Sequence, residues 1–480
     1  MTIYFLLLTP VLVSLFLFAF RTKRIFIEIL AVLAGVIEFI AALFIVFGGH
    51  TVVGTELQRF LSYDALASWF LLITATLGML ALFYSVSYLR REEETREVPL
   101  RKVRTYYALF HLFIFAMFTA VGANNVLLLW IAVEATTLAS AFLVNFFDRP
   151  AAIEAAWKYM IINTVALLLG LFGVFIFIGA IEHASLSTSL DWASIAKIAP
   201  QLDVVLMKIA FVFMVIGYGT KSGLAPLHNW LPDAHSQAPS PVSALLSGAL
   251  LNVAFLALLR FKSIVDISAG PEFSQHIFLG FGVVSIIIAS ALILIQRHYK
   301  RLLAYSSVEH MGIIAIGFAM GGVGTIAALL HALYHSLAKS MLFMSAGNIL
   351  VRYHATEIRD VKGLLRTLPV TGFLFFAGLL AVAGVPPFGT FLTEFAIFST
   401  LFAVHPYITL IALFALAIAF VGIMRHISVM CFGDNEGVKK GEDGLLSVVP
   451  LLVLFTLLFG LSLYRPDAIL ALLERAALNI

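Results

Sequence analysis

The sequence predicts an all-α membrane protein with about fourteen transmembrane helices. Of its 480 residues, 61% are hydrophobic and only 12% are charged, and the mean hydropathy is +1.03. A soluble domain carries about 25% charged residues. Apolar stretches of roughly 20 residues, long enough to cross a bilayer as helices, recur along the chain. This composition excludes an ordinary soluble globular protein.

Fourteen apolar stretches satisfy this length criterion. They lie at about 2–20, 26–47, 64–89, 105–122, 124–146, 155–181, 204–222, 241–261, 275–296, 302–321, 323–350, 368–394, 405–432 and 446–464. Residues 2–20 could be confused with a signal peptide. The basic residues Arg21, Lys23 and Arg24 follow that stretch rather than precede it, and a small-residue cleavage site is missing. We therefore interpret it as the first membrane helix.

The basic residues support this count and orient the spans. With the N-terminus outside, nineteen of the 30 Lys and Arg residues fall in inner loops, six in outer loops and five in or at the edges of helices. Inner loops of membrane proteins carry such an excess. The inner set is Arg21, Lys23, Arg24, Arg90, Arg91, Arg96, Arg101, Lys102, Arg104, Arg149, Arg297, Lys300, Arg301, Arg352, Arg359, Lys362, Arg366, Lys439 and Lys440. We expect a multi-pass protein of the plasma membrane with both termini outside.

Several ionisable residues interrupt the apolar spans. They are Glu134, Lys221, His331, His335, Lys339 and Glu394. The spacing i, i+4, i+8 places His331, His335 and Lys339 on one helix face. Lys221 and Glu394 each lie beside a segment rich in Gly and Pro. Ionisable groups at membrane depth usually face the protein interior and mark an ion or proton pathway.

Simpler interpretations exist for each residue alone. A single buried carboxylate such as Glu134 is often a structural hydrogen-bonding group, and a single histidine is more often a core residue. We retain the core interpretation for His111, His298, His310 and His426. The i, i+4 histidine pair could suggest zinc, but neither a third ligand nor an HExxH pattern accompanies it. We therefore expect no metal. The number of ionisable residues together favours ion translocation.

Redox chemistry is not predicted for this chain. Its one cysteine, Cys431, excludes an internal disulfide and a CxxC motif. The sequence contains no phosphate-binding loop, dinucleotide fingerprint or haem or cluster ligand set. We expect no cofactor. The basic residues are spread over short loops, which excludes a nucleic-acid-binding surface.

A broken helix beside a charged residue occurs twice, near Lys221 and near Glu394. Transporters often place ion sites at matching discontinuous helices of inverted repeats. We expect two inverted five-helix repeats, helices 4–8 and 9–13, with helices 7 and 12 broken. The predicted organisation is residues 1–104 for the first three helices, 105–265 and 266–432 for the repeats, and 433–480 for the last helix and tail.

The segment 220–247, TKSGLAPLHNWLPDAHSQAPSPVSALLS, resembles the signature of the antiporter-like membrane subunits. Respiratory complex I, Mrp-type cation/proton antiporters and energy-converting membrane hydrogenases share these subunits. The resemblance covers nearly the whole chain. The segments EAAWKY at 154–159, LSGALLN at 246–252 and GVPPFGTFLTE at 384–394 are most similar to the F component of hydrogenase-4. Many relatives have a lysine where this chain has Asn252.

The resemblance implies translocation of an ion, first of all a proton, by a non-redox subunit of a membrane-bound hydrogenase or NADH:quinone oxidoreductase-like complex. It implies an ion pair between Glu134 and Lys221. It also implies a pathway along His228, His331, His335 and Lys339 to Glu394. The implied partners are other membrane subunits, soluble hydrogenase or NADH dehydrogenase-like subunits with iron–sulfur clusters, and the lipid bilayer.

Two alternatives stay open at this point. One is a subunit of an Mrp-type cation/proton antiporter that needs no redox partner. The other is a structural membrane anchor whose charged residues no longer function. Asn252 and the EAAWKY segment favour the hydrogenase-like interpretation, and the set of Glu, Lys and His residues argues against the anchor.

Overall fold

The computed structural model describes residues 2–48, 58–95, 98–184, 189–433 and 437–480, and these ranges are almost entirely helical. Arg96, which the charge count places in an inner loop, lies outside them. The helices are α1 (Thr2–Ala19), α2 (Arg24–Phe47), α3 (Ala65–Thr95), α4 (Leu100–Gly122), α5 (Val126–Val144), α6 (Pro150–His183), α7 (Trp192–Ile198), α8 (Val204–Lys221), α9 (Trp230–Gln237), α10 (Ser240–Leu245), α11 (Leu251–Ala269), α12 (Pro271–Leu294), α13 (Tyr299–Met320), α14 (Gly322–Tyr353), α15 (Leu364–Thr367), α16 (Pro369–Val382), α17 (Gly389–Val404), α18 (Pro406–Cys431), α19 (Val449–Leu463) and α20 (Asp467–Ala477).

The predicted fold class is confirmed. Within the described ranges, 12 helical spans are long and apolar enough to cross a membrane. The predicted twelfth span forms two shorter apolar helices, α16 and α17. The fourteenth is α19, which has 15 residues and meets α20 at a bend of 80°. The chain is therefore a multi-pass membrane protein, and its helices agree with the count of about fourteen.

Both predicted breaks are present, and glycine allows each of them. Helix α8 ends at Lys221, and Gly223 follows with φ of +79°. Helix α16 ends at Val382, and Gly384 follows with φ of +64°. Glycine adopts this left-handed conformation without the steric penalty of a Cβ atom. The two breaks lie five spans apart, as the inverted repeat predicts.

Three of the predicted ionisable residues, His331, His335 and Lys339, lie on one of the most enclosed helices. The spans Ser240–Ala269, Tyr299–Met320 and Gly322–Tyr353 are almost wholly buried inside the protein. The peripheral helices α1, α2 and α18 instead present large apolar side chains such as Tyr407 and Phe414 on the outside. Such an apolar exterior is what lipid tails require. The centre of the bundle is therefore sealed from lipid by its own outer helices.

A π-helical segment, Leu246–Leu250, joins α10 to α11. The carbonyl of Gly248 within it accepts hydrogen bonds from Asn252 Nδ2 at 3.0 Å and from Ser336 Oγ at 2.6 Å. Single π-helical turns inside α-helices occur frequently at functional sites. This one ties α11 to α14 in the centre of the molecule.

Candidate functional site

Lys221 is completely buried at the last residue of α8. Its ammonium group donates hydrogen bonds to Thr137 Oγ1 at 2.8 Å and to the Tyr159 hydroxyl at 2.7 Å. It also lies 4.7 Å from the centre of the Tyr159 ring. A cation over an aromatic face is stabilised by the ring quadrupole. Residues of α5 and α6 therefore hold this lysine without a direct counter-charge.

Glu134 does not form the direct ion pair that the resemblance implied. Its Oε1 accepts a hydrogen bond from Thr164 Oγ1 at 2.8 Å, and its Oε2 is buried without a protein partner. Glu134 nevertheless precedes Thr137 by three residues on α5, so it lies on the same helix face as a partner of Lys221. Glu134 and Lys221 therefore belong to one cluster, which also contains the hydroxyl groups of Thr137, Tyr159 and Thr164.

The hydroxyl network continues beyond Lys221. The Tyr159 hydroxyl and Ser140 Oγ lie 2.6 Å apart, and either can donate. The sequence analysis identified neither Tyr159 nor Thr137. Hydroxyl side chains are common in membrane helices, where they usually bond to a backbone carbonyl of their own helix. Their type and spacing alone give no signal.

A second cluster is built on His331, which is completely buried on α14. His331 Nε2 lies 2.8 Å from His310 Nδ1, and His310 Nε2 lies 3.0 Å from the Val382 carbonyl oxygen. A carbonyl only accepts, so Nε2 of His310 carries a proton. In the neutral ring Nδ1 is then an acceptor, and His331 Nε2 donates to it. This assignment follows from the hydrogen-bond network.

This cluster reaches the second broken helix. The other ring nitrogen of His331, Nδ1, lies 2.8 Å from Thr393 Oγ1. A ring nitrogen of His310, a ring nitrogen of His331 and a carboxylate oxygen of Glu394 all lie within 4.8 Å of one another. Glu394 is half-buried and lines a cavity of about 580 Å³ together with Gly384 and several phenylalanines. His310, which the sequence analysis assigned to the core, belongs to this cluster.

Between the two clusters lie buried groups without protein partners. Both ring nitrogens of His335 and of His235, and Nδ1 of His228, make no hydrogen bond within the protein. The His335 ring is 5.3 Å from the His310 ring. The ammonium group of Lys339 donates to the Leu303 carbonyl oxygen at 2.9 Å. Buried polar atoms are normally satisfied by ordered water when protein offers no partner.

The sequence analysis missed Glu309 on α13. Its side chain is only 3% exposed, its Oε2 has no partner, and its charge interacts with that of Lys339. Glu309 lies in the tenth span, as Glu134 lies in the fifth. A five-helix duplication relates these two spans, and a carboxylate inside 302–321 was the signal that could have found it.

Asn252 lies at the position where a lysine was expected by resemblance. Its Nδ2 donates to Ser336 Oγ at 2.7 Å, and its Oδ1 is buried without a protein partner. The amide is uncharged at every pH. The titratable groups of this central region are therefore the histidines, Glu309 and Lys339.

Comparison with known proteins places this geometry in a family. Residues 123–420 match the model described as NADH:quinone oxidoreductase/Mrp antiporter, TM. The chain is 36% identical over 415 residues to the hydrogenase-4 component F homolog of Methylacidiphilum infernorum, which covers 85% of this chain and 86% of that protein. It is 34% identical over 327 residues to NADH-quinone oxidoreductase subunit N of Desulforudis audaxviator, covering 68% of this chain and 63% of that protein.

A solved structure shares the fold. A chain of the membrane-bound sulfane sulfur reductase, an archaeal respiratory membrane complex, superimposes with a TM-score of 0.88 at 22% identity, covering 99% of this chain and 96% of that one. The matched region at 123–420 contains Glu134, Lys221 and the helices of both clusters. The chain belongs to the NADH:quinone oxidoreductase/Mrp antiporter transmembrane family.

Proposed function

We propose that the chain is the proton-translocating membrane subunit of a redox-coupled complex of the hydrogenase type. Lys221 takes up and releases the proton of the first cluster, and Glu394 exchanges protons at the second. His228, His331, His335 and Lys339 lie between them. The repeats 105–265 and 266–432 each supply one of the two halves of this pathway.

One observation carries the proposal: buried titratable groups accompany both broken helices. We call the residues of the proposed pathway, Lys221, His228, His331, His335, Lys339 and Glu394, the translocation row. At the first break, Lys221 donates to two hydroxyl groups and lies over the Tyr159 ring, without a direct counter-charge. At the second, His331 connects to Thr393, the residue before Glu394. Ionisable groups at membrane depth are costly and usually functional. Hydroxyl groups solvate the ammonium form of Lys221 but supply no opposite charge, so the lysine can lose its proton.

The state of Glu134 controls the proton affinity of Lys221 in this mechanism. An opposite charge nearby favours the charged form of an ionisable group. An ionised Glu134 therefore retains the lysine proton, and a protonated Glu134 releases it. The energy for this change must come from partner subunits, because no group in this chain undergoes redox chemistry in the proposed scheme.

The test is the substitution Lys221→Met in the complete complex reconstituted into liposomes. We expect redox-driven proton uptake to fall to the background level, because methionine has a similar length but cannot bind a proton. The matched control is Lys208→Met on the same helix α8, where Lys208 lies 5.3 Å from the Phe273 ring centre rather than in the row. Normal proton translocation by Lys221→Met would contradict the proposal.

The partners in this proposal are other membrane subunits together with soluble subunits that carry iron–sulfur clusters. The complex lies in the plasma membrane with both termini of this chain outside. Purification of the native complex in mild detergent, followed by mass identification of its subunits, tests this part. Hydrogenase and iron–sulfur subunits support it. A set of small membrane proteins alone favours the Mrp-type antiporter.

A further inference from the structure

A second buried ionisable pair lies outside the translocation row. Glu38 on α2 and His111 on α4 meet with Oε1 and Nδ1 3.0 Å apart. Their side chains are 2% and 0% exposed. Glu38 lies near the middle of the 24-residue α2, and His111 near the middle of the 23-residue α4. Both side chains therefore lie at membrane depth, in the first four helices rather than in either repeat centre.

Packing of α2 against α4 does not require the ionisable pair Glu38 and His111. A buried pair of ionisable groups contributes little net stability, and apolar side chains of similar volume pack as well or better. A structural hydrogen bond needs only one ring nitrogen, yet the second nitrogen of His111, Nε2, is buried without a protein partner. An unpaired carboxylate at this depth is costly, and His111 is the side chain that contacts Glu38 here.

A polar route leads from the pair to one face of the membrane. Tyr107 precedes His111 by four residues, so it lies one turn away on the same face of α4. Its buried hydroxyl has no partner, and it lies within electrostatic range of Glu28 and Arg90. Glu28 Oε1 accepts a hydrogen bond from Arg24 at 2.8 Å, and Arg90 also contacts this carboxylate. Glu28 and Glu38 are about 15 Å apart along α2.

The route does not continue to the other face along these helices. Beyond Glu38, α2 contains only apolar residues through Phe47. Beyond His111, the only polar side chain of α4 is Thr119, whose hydroxyl bonds to the Phe115 carbonyl oxygen at 2.8 Å. Along α2 and α4, polar side chains therefore follow the pair only toward Arg24 and Arg90.

We propose that Glu38 and His111 form a second proton-binding site, separate from the translocation row and in exchange with the membrane face that carries Arg24 and Arg90. Its ligand is a proton. The titratable groups of the described elements on and packed against α2 and α4 are Tyr4, Arg24, Glu28, Tyr63, Tyr84, Tyr88, Arg90, Arg91, Glu92, Glu93, Arg101, Lys102, Arg104, Tyr106, Tyr107, Glu134, Arg260, Lys262 and Asp266. Among them, Tyr107 and Glu28 connect the pair to the surface.

Infrared difference spectroscopy of the intact complex tests this site. The spectrum of the wild type minus that of Glu38→Gln isolates the bands of Glu38, because glutamine keeps the shape and a hydrogen bond but binds no proton. We expect these bands to shift when the complex is transferred to D₂O, since the shared proton exchanges with water. Tyr107→Phe should slow the shift severalfold, because it removes the hydroxyl group through which the proposed route passes.

The opposite results overturn the proposal. Bands that stay unshifted after prolonged exposure to D₂O identify a sealed structural bond. An unchanged exchange rate in Tyr107→Phe removes the proposed route. Redox-driven proton uptake by Glu38→Gln should equal that of the wild type, and a loss as large as that in Lys221→Met would assign the pair to the translocation row instead.

Discussion

Tyr159 accepts the shorter of the two hydrogen bonds that Lys221 donates, at 2.7 Å to its hydroxyl group. The change Tyr159→Phe removes this acceptor and keeps the ring. We expect proton translocation to fall about tenfold, since a hydrogen bond to a charged group contributes about 1.5–3 kcal/mol. The control is Tyr218→Phe on α8, because the buried Tyr218 hydroxyl has no partner to lose. Proton uptake by the reconstituted complex measures both.

Substitution of Glu309 tests whether the second repeat uses the same chemistry as the first. We expect Glu309→Gln to reduce translocation at least as much as Tyr159→Phe, because it removes the carboxylate that faces Lys339. Glu154→Gln is the matched control: Glu154 is exposed and forms an ion pair with Lys158 on the surface of α6. If both variants translocate at the wild-type rate, Glu309 has no part in the row.

For individual residues, the sequence predicted the burial of Lys221 and of the His331, His335 and Lys339 set, but it missed Glu309 and the neutral hydroxyl partners. Lys221, His331, His335 and Lys339 all lie buried in the interior, as their cost in apolar spans indicated. Tyr159 and Thr137 were not predicted, because a hydroxyl group costs little in a membrane helix wherever it points. The partner of a buried lysine is set by the packing of three helices, which local sequence does not reveal.

Among the elements, α6 and α8 depend on a close approach at two glycines. A Cβ atom on Gly217 would lie 2.8 Å from Gly170 Cα and 3.0 Å from the Ala166 carbonyl oxygen, both of them backbone atoms. We expect Gly217→Val to destabilise this contact by about 1–3 kcal/mol and to lower the yield of assembled complex. Gly179→Val on α6 is the control, since no atom lies within 4 Å of a Cβ there. Thermal denaturation of the purified complex compares them.

The start of α3 is linked to α11 by an ion pair that depends on pH. Asp64 accepts hydrogen bonds from Arg260 at 2.6 and 2.7 Å and caps α3 through the Ala67 N–H at 2.8 Å. Burial acts to raise the pKa of Asp64, but Arg260 and the cap hold this pKa below its usual range. Stability from this group is therefore present above pH about 4, the pKa of an unfolded aspartate, and is lost as the pH falls through the lower folded pKa.

Arg260→Gln tests this link. The variant should be less stable by about 1 kcal/mol at neutral pH, because Asp64 is 36% exposed and water screens part of the interaction. The difference in stability between the wild type and the variant should shrink as the pH falls below about 4, because a protonated Asp64 no longer forms the ion pair that the variant lacks. Identical acid denaturation curves for the two proteins would contradict this.

For the whole molecule, the orientation can be read with cysteine labelling. The only native cysteine, Cys431, is buried, and Cys431→Ala provides a background without thiols. In that background Asn479→Cys should react with an impermeant maleimide in intact cells. Lys440→Cys should react only after permeabilisation. Both positions are exposed, so access to the reagent is decided by the side of the membrane alone.

Most of the architecture was predictable because membrane spans have a length set by the bilayer. The two breaks were predicted from Gly and Pro, which the structure confirms at Gly223 and Gly384. The π-helical segment Leu246–Leu250 was not predicted, because its residue types do not distinguish a π-helical from an α-helical turn. Such a segment is imposed by the contact of Gly248 with α14 rather than by local preference.

The contact between His310 and the Val382 carbonyl oxygen leaves His310 with one ring nitrogen, Nδ1, through which it can exchange a proton with the translocation row. Proton hopping through an imidazole needs one nitrogen to receive and the other to release. Nε2 of His310 faces a carbonyl, which cannot take a proton. A proton that reaches His310 through Nδ1 must leave through Nδ1, back to His331. In the proposed pathway His310 is therefore a store beside the route, and His331, whose Nδ1 contacts Thr393, is the ring that can pass a proton onward.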